Sequence, residues 1–232
     1  MLIGILQTGH APDPVQEHHG DFEDMFARLL DGHGFTFKTW NVVDGDQPAS
    51  VADADGWLVT GSKHGAYEDH AFIPPLEDFI RATFADGRPM VGVCFGHQII
   101  AQAMGGTVKK YDGGWAVGHQ DYQYNGRDLA LNAWHQDQVV DLPKDAQVIG
   151  CNDFCANAAL IYGDKIYTIQ PHPELRNPII QDYLKVRGSD PTYPRAIINR
   201  ATDLADTPTA DMEIAADIAA FFKGTFKPQV AS

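Results

Sequence analysis

The chain opens on an apolar run, Leu2–Gln7 (LIGILQ), of the length one buried strand needs. A turn-rich loop, His10–Gly20, follows. Asp21 can then cap a helix over Phe22–Leu30, where Phe22, Met25, Phe26, Leu29 and Leu30 recur at helical spacing before Gly32 and Gly34 stop it. Phe35–Trp40 reads as a strand, and Gly56–Thr60 (GWLVT) as another short apolar run ending at Gly61. Leu76–Phe84 returns to the helical period until Gly87 and Pro89 break it, and Met90–Val93 is a further strand. Phe95–Met104 is helical and is closed by Gly105 and Gly106.

Buried runs separated by helices point to an α/β fold whose mostly parallel central sheet is flanked by helices on both faces. From Thr107 to Ile169 the pattern changes to short strands and polar turns, with Tyr122–Gly126 and Tyr162–Asp164 as turn candidates. This stretch predicts a small antiparallel extension of the sheet. Beyond Pro178 the chain is helical again and ends in an amphipathic helix, Asp211–Phe222, whose Phe221 and Phe222 are core contacts. Neither a repeat nor a linker interrupts it. The economical reading is a single domain over residues 1–232, with 178–232 as a helical C-terminal extension.

Composition narrows the function. A chain of 232 residues can bury one good core, and two full domains would be a tight fit. Acidic residues outnumber basic ones 31 to 17, a formal net charge of −14 that repels phosphate backbones. No local basic patch offsets it, so no nucleic-acid partner is expected. No membrane association is expected either: no apolar stretch reaches spanning length, and Met1–Thr8 reads as a strand rather than a signal peptide. Three cysteines, Cys94, Cys151 and Cys155, make no disulfide framework and suit a reducing, cytoplasmic setting. Ten histidines invite a metal. Neither His18 and His19, beside Glu17 and Asp21, nor His64, Asp69 and His70 has a strong ligand spacing, and the Cys151/Cys155 pair has no second pair. The expectation is no metal and no cofactor.

The chemistry concentrates at Gly92-Val93-Cys94-Phe95-Gly96, after the strand MVGV and at the mouth of a helix. This is the thiol counterpart of the Gly-x-Ser-x-Gly turn. A sharp strand-to-helix turn crowds the positions two before and two after its centre, and a missing Cβ relieves the crowding. The turn exposes the thiol at the carboxyl edge of the sheet and at a helix N-terminus, whose dipole favours a thiolate. Taken alone, the pattern is equally that of a buried structural cysteine.

A partner appears at Gln170-Pro171-His172-Pro173-Glu174, after the apolar run Ile166–Ile169. Residues two apart in extended backbone point to one side, so Glu174 can reach the His172 ring, and the prolines keep the stretch extended. A carboxylate on one ring nitrogen fixes the tautomer and leaves the other for a thiol.

GVCFGHQ together with QPHPE resembles the class I glutamine amidotransferase family, whose triad is Cys, His and Glu in that chain order. WHQDQVVDLP, residues 134–143, resembles the His-x-Asp-x-Val stretch of the amidotransferase domain of GMP synthases. The resemblance runs from Leu2 to about Glu174, and the tail looks like that of small free-standing members, among them the plant γ-glutamyl peptidases. It implies a flavodoxin-like fold, Cys94 as nucleophile, His172 as acid and base, and Glu174 as its orienter. It also implies backbone oxyanion donors at Phe95 and Ser62. The Gly61-Ser62-Lys63 loop here stands where the family usually has Gly-Gly-Pro. The resemblance also implies substrate-binding positions at Gly61, Gln98, Trp134, His135 and Gln136. His97, on the nucleophile's helix, has no assigned role. Lys63, His64, Tyr67, Glu68 and Asp69 read either as the substrate mouth or as a solvated loop.

The function expected is cysteine-dependent hydrolysis of a γ-glutamyl amide bond, in glutamine or a small γ-glutamyl compound, through a γ-glutamyl thioester. Two alternatives stand beside it. One is a glutaminase subunit supplying ammonia to a separate synthetase, since the chain carries no Gly-x-x-x-x-Gly-Lys nucleotide loop of its own. The other is a non-catalytic binding module on the same fold.

Overall fold

Strands β1 (Leu2–Leu6), β2 (Thr36–Trp40), β3 (Gly56–Val59) and β4 (Met90–Val93) lie parallel in the computed structural model, which describes residues 1–229. The last three residues of the 178–232 extension lie outside the described ones. Further along come β5 (Thr107–Lys110), β6 (Ala116–Tyr124), β7 (Arg127–His135), β8 (Asp137–Asp141), β9 (Gln147–Cys151), β10 (Ala159–Tyr162) and β11 (Ile166–Ile169). Nine of these form one sheet in the order β2-β1-β3-β4-β11-β10-β9-β6-β7, while β5 and β8 pair separately. The segment β2-β1-β3-β4-β11 is wholly parallel and has the flavodoxin-like strand order. From β10 onward the pairings are antiparallel, the extension expected from the change of pattern after Thr107.

Every residue of β3, β4, β10 and β11 is buried, which is why these strands read as continuous apolar runs rather than alternating ones. Two cores result, one on each face. Leu58 and Val91 face helices α2 (Phe22–Leu29), α5 (Asn177–Arg187) and α7 (Asp211–Phe222), where Phe221 and Phe222 are buried as expected. Trp57, Val59 and Met90 face α3 (Ile73–Asp86) and α4 (Phe95–Ala103). Helix α6 (Arg195–Asp203) packs on β6.

Two expectations are corrected. Within the loop expected at His10–Gly20, Asp13–His19 is helix α1. Its first turn is set by proline, and Val15 is its one buried residue, so it carries no apolar period to read. Tyr122 lies in β6, not in a turn: Asn125 and Gly126, at φ 47° and 73°, suffice to reverse the chain into β7. The Tyr162–Asp164 turn is present, with Gly163 at φ 61°.

Candidate active site

β4 ends at Val93 and α4 begins at Phe95, so Cys94 alone makes the turn, at φ 53° and ψ −105°. A non-glycine residue held there costs about 1–3 kcal/mol, and the surroundings explain how it is held. The Cys94 N–H donates to the Ile169 carbonyl at 2.9 Å, and the Gly96 N–H to the Thr60 carbonyl at 3.0 Å. A Cβ on Gly92 would stand 2.6 Å from the Gly96 carbonyl carbon, and one on Gly96 would stand 2.2 Å from the Val59 oxygen. Both glycines are therefore steric requirements of the turn, as its sequence implied.

β11 is the neighbour of β4, with Ile169 opposite Val93, so the chain leaving β11 passes beside Cys94. There the His172 N–H donates to the Asn132 carbonyl at 2.8 Å, and the Asn132 amide donates to the Leu175 carbonyl at 2.8 Å. These bonds tie the His172 segment to β7. His172 Nδ1 and Glu174 Oε1 lie 2.6 Å apart, both side chains buried, and Cys94 is a near neighbour of the same ring, both of them beside Gly61. Burial alone would lower the His172 pKa. Cys94 and Glu174 outweigh it and raise the pKa well above the usual imidazole value.

Two other buried histidines behave oppositely. His97 and His135 are each pushed down to about 3, by burial first and then by a neighbouring histidine, so both are neutral. His97 Nδ1 meets the Thr168 hydroxyl at 2.8 Å, beneath the sheet edge and away from the cleft lining. It belongs to the interior of the fold.

The Gly61 loop is pinned from below. The Thr8 hydroxyl donates to the carbonyls of Thr60 (3.0 Å) and Gly61 (3.1 Å), and the Thr60 hydroxyl also donates to Gly61 (3.1 Å). In a trans peptide the C=O and the following N–H point opposite ways, so the Ser62 N–H faces away from these threonines. Neither Ser62 N–H nor Phe95 N–H donates to an acceptor among the described residues. A Cβ on Gly61 would lie 3.8 Å from Cys94 Cβ.

A cleft of about 240 Å³ opens over the sulfur. Ser62, Cys94, Gln98, Trp134, His135 and Gln136 all line it, whereas Gly61 and Phe95, also singled out in sequence, are not among its lining residues. Lys63, His64, Tyr67 and Glu68 line it too, which makes that loop its mouth; Asp69 does not. The Gln98 amide nitrogen is held by the Asp137 carbonyl (2.9 Å) and by Gln170 Oε1 (3.1 Å), which orients its oxygen for a ligand. A wider groove of about 640 Å³ lies over Tyr122, Leu129 and Cys151, but no histidine lines it. Chemistry rather than size identifies the site.

Sequence reading missed Lys110, Trp115, Arg187 and Tyr193 in the cleft wall, because they come from segments without a motif. Thr8 and Thr60 had a local signal, each standing just past the end of a buried strand. The one group of possible metal ligands among the described residues is His64, Glu68 and His70, with ligand atoms within 4.8 Å of one another. Glu68 Oε2 there pairs with His70 Nε2 at 2.8 Å. The sequence spacing of the three gave no sign of this convergence.

Residues 20–181 match the family described as glutamine amidotransferase class-I. The chain is 29% identical to gamma-glutamyl peptidase 4 of Arabidopsis thaliana over 73% of its own length and 74% of that protein's. It is 31% identical to a glutamine-hydrolyzing GMP synthase chain of Halobacterium salinarum, over 69% of its length and 87% of that protein's. Its fold is similar to that of a glutamine amido transferase from Methylobacillus flagellatus, with a TM-score of 0.76 at 22% identity, over 99% of this chain and 96% of that one. The matched span runs through the Cys94 turn, much of the cleft wall and the His172–Glu174 segment, and the chain is a member of the class-I glutamine amidotransferase family.

Proposed function

We propose that the protein hydrolyses a γ-glutamyl amide bond through a γ-glutamyl thioester on Cys94. The observation that carries the reading is the meeting of Cys94, His172 and Glu174 at the ends of two adjacent parallel strands. His172 takes the thiol proton and Glu174 stabilises the resulting imidazolium. The sulfur attacks the γ-carbonyl carbon, and the N–H groups of Phe95 and Ser62 stabilise the oxyanion; one such donor is worth about 100–1,000-fold in rate. His172 then gives its proton to the departing nitrogen, the C–N bond breaks, and water discharges the thioester. Gln98, Gly61 and the wall of Trp134, His135 and Gln136 hold the glutamyl end.

The Arabidopsis relatives, by name γ-glutamyl peptidases, support a γ-glutamyl peptide substrate. The Halobacterium relative supports a second reading, release of ammonia to a separate synthetase. Purified protein incubated with glutamine, glutathione and γ-glutamyl dipeptides separates them: peptide hydrolysis supports the first, and a strong preference for glutamine the second. Equal turnover by a Cys94→Ala variant would sink both.

Alkylation tests the non-catalytic alternative. Burial pushes the Cys155 thiol up to about 12, so it is inert near neutral pH. Selective modification of Cys94 over Cys151 and Cys155 is expected; uniform slow labelling would favour a binding module.

A further inference from the structure

The cleft has a second, smaller lobe. It is about 50 Å³, lined by His10, Phe22, Leu175 and Tyr183 together with His172. It shares Ser62, Lys63, Trp134 and Arg187 with the larger lobe. The two lobes divide the reacting groups: Cys94 lines the larger and His172 the smaller. In the hydrolysis proposed above, the acyl group goes to the sulfur and the departing nitrogen takes its proton from the histidine. The glutamyl part thus belongs in the larger lobe and the leaving group in the smaller. At roughly 10–15 Å³ per water-sized group, the smaller lobe has room for about four such groups, the size of a Cα with its carboxylate.

The charge of the shared wall is distinctive. The chain has eight arginines and a net charge of −14, so carboxylates are abundant. Arg81, Arg88, Arg127 and Arg176 hold carboxylates. Arg28, Arg195 and Arg200 donate to main-chain carbonyls. Arg187 does neither among the described residues, although it is half-buried at the end of α5. Lys63 has no ion-pair partner among the described residues either, and the buried Trp134 indole N–H has no acceptor. Buried Trp134, half-buried Arg187 and exposed Lys63 thus line the wall between the two lobes with donors that have no acceptor or ion-pair partner among the described residues. Tyr183 closes the small lobe with its ring against Trp134, 5.6 Å between centroids.

We propose that this wall reads a carboxylate on the leaving group, so that the substrates are γ-glutamyl derivatives of small amino acids with a free carboxylate, and Arg187 is the principal specificity residue. The inference rests on the hydrolytic reading above. Glutamine, whose leaving group is ammonia, leaves the small lobe unfilled. In the acylation step the γ-carbonyl C–N bond breaks as the C–S bond persists, and the proton taken from Cys94 passes through His172 to the nitrogen of the departing amino acid. Its carboxylate stays on Arg187 and Lys63 until it diffuses away. A guanidinium is suited to the task because it presents a planar pair of donors to a carboxylate.

The test compares γ-glutamylglycine with γ-glutamylglycinamide, which differ only in the terminal carboxylate, in the wild type and in Arg187→Gln. The wild type should prefer the acid by about tenfold or more in kcat/KM. Arg187→Gln should abolish most of that preference, cutting kcat/KM for the acid about tenfold more than for the amide. Lys63→Gln should give a smaller loss of the same kind. Equal rates on acid and amide in the wild type, or an equal loss on both in Arg187→Gln, would overturn the inference and leave the hydrolase reading intact. No turnover of either compound, nor of glutamine, would overturn both together.

Discussion

Gly61 rests against the His172 ring: a methyl group on its α-carbon would stand 3.1 Å from Cε1. The position is closed by the ring it touches, not by its own backbone, whose φ is ordinary. In Gly61→Ala the imidazole must shift by a few tenths of an ångström, and small misplacements of a proton-transfer group are costly. We expect kcat/KM to fall ten- to a hundredfold while stability changes by less than about 1 kcal/mol. Steady-state kinetics beside a urea titration checks this, and wild-type kinetics would contradict it.

Cys94 sits where only glycine is comfortable. The mirror image of its φ and ψ lies in the ordinary extended region, so a glycine there is unstrained. Cys94→Gly and Cys94→Ala should both be inactive, yet the glycine variant should be the more stable by about 1–2 kcal/mol. For a chain of this size that is a difference of several degrees in Tm. Calorimetry of the two inactive variants reads it directly; a less stable glycine variant would mean the turn is not strained.

Glu174→Gln keeps the shape at His172 Nδ1 and removes the charge. We expect a hundred- to ten-thousandfold loss in kcat, since an uncharged partner neither fixes the tautomer as well nor stabilises imidazolium. A stability effect accompanies it. The His172 pKa is raised in the folded protein, so its protonation stabilises the fold fully below the unfolded value near 6.5. That contribution is lost as pH rises through the folded value. Glu174→Gln should therefore narrow the pH range above about 6.5 over which His172 supports the fold, measured by urea midpoints from pH 6 to 9.

His97 and His135 act at the other end of the pH scale. Each is neutral in the fold down to about pH 3 but protonates near 6.5 when the chain unfolds. Between those values the unfolded chain binds about two more protons than the fold through these rings, so acidification destabilises. His97→Gln should lower the slope of stability against pH by about one proton across pH 4.5–6. Parallel slopes for variant and wild type would refute it.

The fold was legible wherever burial alone dictates sequence. β1, β3, β4 and β11 are short apolar runs because helices cover both faces, and α2 announces itself by Phe22, Met25, Phe26 and Leu29. Helix α1 was not legible, because proline geometry and a single buried valine hold it. In the site, the Cys94 turn and the His172–Glu174 pair were readable because their geometry is local: two glycines two residues either side, and a carboxylate two residues from an imidazole. Arg187, Lys110 and Tyr193 were not. They reach the cleft only through the packing of α5 and of segments remote in the chain, and nothing in their immediate neighbours records it. The pinning of Gly61 by Thr8 is of the same kind, a bond across 53 positions.

β4 and β11 pair directly, although the whole antiparallel extension separates them in the chain. Cys94 and His172 are thus carried by two neighbouring rails of the parallel sheet, while much of the cleft wall is carried by the excursion between them and by the helices that follow. Changes in the excursion or in α5 can re-cut the wall without moving the rails. On the hydrolytic reading proposed above, the molecule would divide into an engine on the rails and a guide in the wall, and revision of the guide alone would shift substrate preference.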